Sequence, residues 1–168
     1  MGGRKTLLIG VLVLVALIVS VVSVSTSVPR SRGEYVYYAV DTSLLGSILY
    51  NMGIDYELRH TSTTGSPYFA IKYHNITLKI TFYDWSESLD GYVSLMFYAA
   101  WRAYGSVSIT DVNQWNAAMR GGRAYLDGDQ DPVVEQDYLI EGGITWQNIE
   151  NVILRFCNYA ELFQEYIS

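Results

Sequence analysis

The spacing of apolar and polar positions changes several times along the chain, and these changes predict a series of short strands and helices. Apolar residues alternate with polar ones at 76–83, which is typical of a strand with one buried face. Helical spacing of apolar residues predicts three helices. The first begins at the capping residues 41–43 and ends at Met52, before Gly53. The second covers 110–120 around Trp115, and the third covers 145–167. The other predicted strands are at 54–59, 68–73, 92–101, 122–127 and 133–140.

The order of these elements predicts the fold class. It reads α-β-β-β-β-α-β-β-α and lacks a regular alternation of strand and helix. An α+β fold, with helices packed on an antiparallel sheet, is therefore expected.

An uncharged apolar block at residues 7–24 follows Arg4 and Lys5. A helix over this block would be about 27 Å long at ~1.5 Å per residue, close to a hydrocarbon core of about 30 Å. The preceding basic residues favour a single-pass anchor with the domain outside the cytoplasm. A signal peptide cleaved at the Ser-x-Ser sites of 23–27 is the alternative, and it would leave a secreted domain. Residues 1–28 are thus a predicted anchor or signal peptide, 29–40 a linker and 41–168 the folded domain.

Charge and cysteine content narrow the function. The net charge is −6, so binding to a phosphate backbone is not expected. Cys157 is the only cysteine, which excludes an intrachain disulfide. Because it lies between apolar residues of the last predicted helix, a buried structural role is expected rather than a nucleophilic one.

The residues that usually carry catalysis show no recognisable arrangement in the sequence. His60 and His74 are the only histidines, and neither has a second ligand at metal spacing. Glu135, Asp137 and Glu141 share one face of a predicted strand, where solvated carboxylates are expected. Neither an enzyme nor a cofactor is therefore predicted.

An acidic turn offers one candidate metal site. Asp127, Asp129 and Asp131 have the opening spacing of a calcium loop. Pro132 and Tyr138 stand where such a loop needs glycine and glutamate, so an exposed acidic turn is the simpler interpretation. Weak calcium binding, and with it an envelope calcium- or ligand-sensing role, is the alternative hypothesis.

Aromatic residues suggest a contact surface. The chain has fifteen tyrosines and four tryptophans, and Tyr92, Met96 and Tyr98 share one face of a predicted strand. These three residues are the predicted partner-binding set, for another protein or for a second copy, because tyrosine is favoured at interfaces. The preference of strands for aromatic residues is the alternative explanation. Asn75 lies in a glycosylation sequon at a predicted hairpin tip.

Four short segments resemble one protein family. They are Asn113-x-Trp115-Asn116, the segment 123–127, the segment 131–135, and Gly142-Gly143-Ile144-Thr145. Together they are similar to the YbjN-domain family, whose members are described as candidate bacterial sensory transduction regulators. The resemblance implies a fold similar to that of type III secretion chaperones and a non-enzymatic regulatory or chaperone-like role. It implies no catalytic residue, and it does not extend to residues 7–24.

Overall fold

The structure, a computed structural model, describes residues 35–103 and 105–168. The predicted anchor at 7–24 lies outside these residues. In chain order the elements are β1 (Val36–Tyr37), α1 (Thr42–Asn51), β2 (Tyr56–His60), β3 (Pro67–Tyr73), β4 (Ile76–Ser86), β5 (Gly91–Ala100), α2 (Ile109–Ala118), β6 (Arg123–Leu126), β7 (Pro132–Leu139), β8 (Ile144–Thr145) and α3 (Trp146–Ile167). The predicted α+β class is confirmed, and β1 and β8 are additional.

Six strands form the main sheet in the order β2-β3-β4-β5-β7-β6, and every neighbouring pair is antiparallel. One face of this sheet carries the core. The buried apolar residues of α1, α2 and α3 join those of one strand face in a single cluster. Phe97 of β5, for example, lies 5.5 Å from Phe156 of α3 between ring centroids.

Side-chain caps fix where the helices begin. The Leu44 backbone N–H donates to Asp41 Oδ1 at 2.7 Å at the start of α1. Ser108 and Asp111 form a reciprocal capping box at the start of α2, and Thr145 caps α3. Within residues 35–103 and 105–168, no helix combines the length and apolar character needed to cross a bilayer.

The segment before α1 belongs to the fold from residue 36 onward, although residues 29–40 were predicted to be a linker. Val36 and Tyr37 pair with Thr145 and Ile144 as the two-stranded sheet β1-β8. Val40 is buried and exchanges two backbone hydrogen bonds with Tyr92. The physical reason is that these residues pair their backbone groups and bury apolar side chains, which a linker does not do.

The predicted hairpin tip at Asn75 is the turn between β3 and β4. The positive φ in this turn is that of His74, at 50°. The His74 ring contacts Glu161 of α3 and lies 4.3 Å from the Tyr73 ring centroid, so side-chain contacts hold the residue in place. Asn75 is exposed in this turn, as expected for the sequon, and its glycosylation stays a prediction.

Candidate functional site

The face of the main sheet opposite the core, hereafter the open face, is the candidate functional site. Residues at opposite positions of neighbouring strands point to the same face, so the register defines rows of side chains across it. The middle row crosses all six strands as Glu57, Ala70, Lys79, Tyr98, Glu135 and Arg123. The rows next to it are Arg59, Tyr68, Thr81, Met96 and Asp137, and then Tyr83, Ser94 and Leu139.

One end of the open face, on β4, β5 and β7, is apolar and aromatic. Tyr83 is 43% exposed and Leu139 is 68% exposed, and they flank the buried Ser94. The Lys79 ammonium lies 4.4 Å from the centroid of the half-buried Tyr68 ring, a cation–π contact. Large apolar side chains left on a sheet face with charges around them are typical of a protein-binding surface.

Thr81 lies in the row next to Tyr83 on the same strand, β4. The residue is 1% exposed, and its Oγ1 has no hydrogen-bond partner among the described residues. Its cross-strand neighbours are Tyr68 and Met96. A buried hydroxyl without a partner costs about 1–3 kcal/mol.

Glu135 departs from its prediction as a solvated carboxylate. It points to the open face but is only 5% exposed, because long neighbouring side chains cover it. Its Oε1 accepts from Arg123 Nε at 2.5 Å, and its Oε2 accepts from the Tyr125 hydroxyl at 2.9 Å. Burial, and then the hydrogen bond to Glu135, raise the pKa of Tyr125. This group is therefore a satisfied ion pair and not an acid–base pair.

The acidic turn uses its carboxylates to build the backbone. Asp127 Oδ1 accepts from the backbone N–H groups of Asp129 and Asp131, at 2.9 and 3.0 Å. Asp131 Oδ1 accepts from the Ala103 N–H at 3.0 Å. Nowhere in the described part of the chain do three or more His, Cys, Asp or Glu side chains form a group that could hold a metal ion. These hydrogen bonds agree with the simpler interpretation as an acidic turn, and calcium binding by Asp127, Asp129 and Asp131 stays a prediction.

The predicted contact residues do not all lie together. Met96 and Tyr98 lie in adjacent rows of the open face, and burial raises the pKa of Tyr98, as do the nearby acidic residues. Tyr92 instead packs at the rim of the core, 5.2 Å from Phe82 and 4.9 Å from Trp85 between ring centroids. The strand register places Leu139 on the open face as well. Alternation in the sequence already puts it on the same strand face as Glu135 and Asp137. Partner binding by these residues stays a prediction.

Cys157 is buried in α3, in agreement with its predicted structural role. Burial raises the pKa of its thiol to about 12, so the reactive thiolate is scarce at mildly alkaline pH. We expect Ellman's reagent to leave the native chain unmodified and to titrate one thiol after unfolding in guanidinium. Rapid modification of the native chain at mildly alkaline pH would contradict this burial.

The residues that carry the family resemblance hold the fold together. Trp115 lies in the core, and its Nε1 donates to the Tyr159 hydroxyl at 2.7 Å. Asn116 closes the edge of the sheet: its side chain donates to the Ala124 carbonyl at 2.9 Å and accepts from the Ala124 N–H at 2.8 Å. Gly143 has a φ of +100°, which an L side chain rarely adopts. Each of these residues thus has a structural role.

Comparison with known proteins identifies the family. The family model YbjN, described as "Putative bacterial sensory transduction regulator", matches residues 43–168. No curated protein and no solved structure shows a significant match to the chain. The matched region covers most of the chain, including all six strands of the main sheet. The chain therefore belongs to the YbjN family.

Proposed function

We propose that the protein is a non-enzymatic regulatory domain that acts by binding protein through the open face of its sheet. The observation that carries this proposal is the exposure of Tyr83 and Leu139 on the face away from the helices. The family description as a regulator agrees with a contact role.

Three observations support a non-enzymatic role. The buried carboxylate of Glu135 is neutralised by Arg123 and bonded to Tyr125. The Cys157 thiol is enclosed in the core. The open face offers aromatic and charged side chains in rows, which suits contact with a broad surface better than enclosure of a small substrate.

The location is part of the same proposal. Residues 7–24 would hold the domain at a membrane, and Arg4 and Lys5 favour a domain outside the cytoplasm. Cleavage near Ser25 would give a secreted form of the same domain.

Site-specific photocross-linking in the full-length chain tests the contact function. A photoreactive phenylalanine in place of Tyr83 is expected to form a covalent adduct with a bound protein. The matched control is the same residue in place of Tyr50, a 78% exposed tyrosine of α1. Leu139→Asp should remove the adduct, because it places a charge among the exposed apolar side chains next to Tyr83, whereas Leu162→Asp on α3 should not. No adduct at position 83, or equal adducts at 83 and 50, would overturn the proposal.

A further inference from the structure

We propose that the protein bound on the open face is a second copy of this chain, packed sheet to sheet about a two-fold axis. The axis runs parallel to the strands, between β4 and β5. This inference rests on the proposed function, since it names the partner of the same surface.

The strand order suits such an axis. In the order β2-β3-β4-β5-β7-β6, three strands lie on each side of the boundary between β4 and β5. A two-fold axis along that boundary places β4 over the partner's β5, β3 over its β7 and β2 over its β6. The whole open face is then covered by an identical face, which is the self-complementary contact that a two-fold dimer requires.

The charges of the open face differ between its two halves. The half formed by β2, β3 and β4 carries Arg59, Lys72 and Lys79 against two carboxylates, Glu57 and Asp55, the latter opposite Lys72 just before β2. Glu57 forms an ion pair with Arg59 at 2.6 Å in the single chain, and this half keeps an excess of one positive charge. The other half carries Glu135 and Asp137 against one guanidinium, Arg123, and the acidic turn follows β6. The proposed axis brings each basic half over an acidic half. A two-fold axis perpendicular to the strands would instead stack like halves, so charge complementarity selects between the two arrangements.

A two-fold axis along the strands places each row of side chains over the same row of the partner. The residues that then face each other agree with this arrangement. In the middle row, Glu57 lies over the partner's Arg123, and Lys79 lies over the partner's Tyr98. In the next row, Arg59 lies closest to the partner's Asp137. Opposite charges and a cation–π pair therefore meet along the rows.

Side-chain sizes are complementary as well. The exposed Tyr83 ring lies over the partner's Ser94, which is small and buried. Met96 lies over the partner's Thr81, which is smaller and buried. Aligned sheets pack about 10 Å apart with interdigitating side chains, so large residues over small ones fit this packing.

Complementary charge variants of the full-length chain test the dimer. Two differently tagged copies are expressed together, solubilised in detergent and purified through one tag, and the recovered fraction of the other is measured. Arg59→Asp should reduce recovery of its own copy by at least about tenfold, because like charges then meet across the axis. Asp137→Arg should do the same. The two variants should recover each other as well as wild type recovers itself, since opposite charges meet again at both contacts.

The control is a matched pair of charge reversals on α3, Arg155→Asp and Glu165→Arg. Each of these variants should recover its own copy as well as wild type recovers itself. The dimer is overturned if wild type does not recover itself, or if each open-face variant still recovers its own copy. If a different protein cross-links at position 83 in that case, the proposed function stands and only the identity of the partner is wrong. If no protein cross-links there, both proposals fail.

Discussion

Replacing Trp115 with alanine is expected to lower the free energy of unfolding by about 3–5 kcal/mol, the range for truncating a buried aromatic residue. Trp115 is 5% exposed, and its ring lies 5.1 to 5.4 Å from those of Phe163, Tyr159 and Tyr166. The substitution opens a cavity between α2 and α3 and also leaves the Tyr159 hydroxyl without its donor. Urea denaturation followed by far-UV circular dichroism measures the loss.

Trp85 provides the matched control for this experiment. It is the same residue type but half exposed in β4, so Trp85→Ala should cost about 1 kcal/mol or less, as surface substitutions usually do. Trp115→Phe should lie between the two, because it keeps most of the ring contacts but loses the hydrogen bond. Equal losses for Trp115→Ala and Trp85→Ala would show that α2 does not pack as described.

Replacing Gly143 with alanine is expected to cost about 2–5 kcal/mol, since a conformational cost of about 1–2 kcal/mol adds to an overpacking cost of about 1–3 kcal/mol. Gly143 has a φ of +100°, and a Cβ there would lie 2.5 Å from Val36 Cγ1. The added methyl group therefore strains the start of β8 and pushes against β1. The midpoint of urea denaturation reports the loss.

Two other glycines separate the conformational cost from the overpacking cost. Gly142 has a φ of +95°, and a Cβ there would have no atom of the described residues within 4 Å, so Gly142→Ala should show the conformational cost alone. Gly128 has neither a positive φ nor a close neighbour, so Gly128→Ala should be nearly neutral. If Gly143→Ala costs no more than Gly142→Ala, the packing of β1 against Gly143 is wrong.

The periodic part of the fold was predictable from the sequence, and the non-periodic part was not. Strand β4 begins at the predicted residue, since four alternating apolar side chains require one buried face. Strands β1 and β8 have two residues each, which is too short for any period to appear. The continuation of β4 to Ser86 passes Asp84 at a φ of 58°, a conformation that alternation does not reveal.

The candidate site was predictable only in part. Alternation shows to which face of the sheet a side chain points, but not which neighbouring side chains bury it. Met96 and Tyr98 lie on the predicted outward face of β5. Glu135 also points outward, yet it is buried, because Arg123 and Tyr125 from the neighbouring strand lie against it. The sequence pattern does not show that β6 lies beside β7, so it does not show which side chains bury Glu135. Tyr92 contacts Phe82 because the chain leaves regular strand geometry near this end of the sheet.

The family resemblance predicted the fold better than the function for a related reason. Its distinctive residues, such as Trp115, Asn116 and Gly143, pack the core, close a sheet edge or form a turn. Residues of this kind specify an architecture that many partners could use. The side chains that would choose a partner lie in the open-face rows, mostly outside those segments.

Pairing of β1 with β8 makes Val36 part of the folded domain. The proposed anchor at residues 7–24 would then leave only residues 25–35 between a membrane and this strand. That stretch cannot reach more than about 40 Å at roughly 3.6 Å per residue. Neighbouring domains would thus be confined to a thin layer above the lipid, where even a weak mutual attraction gains from the high local concentration.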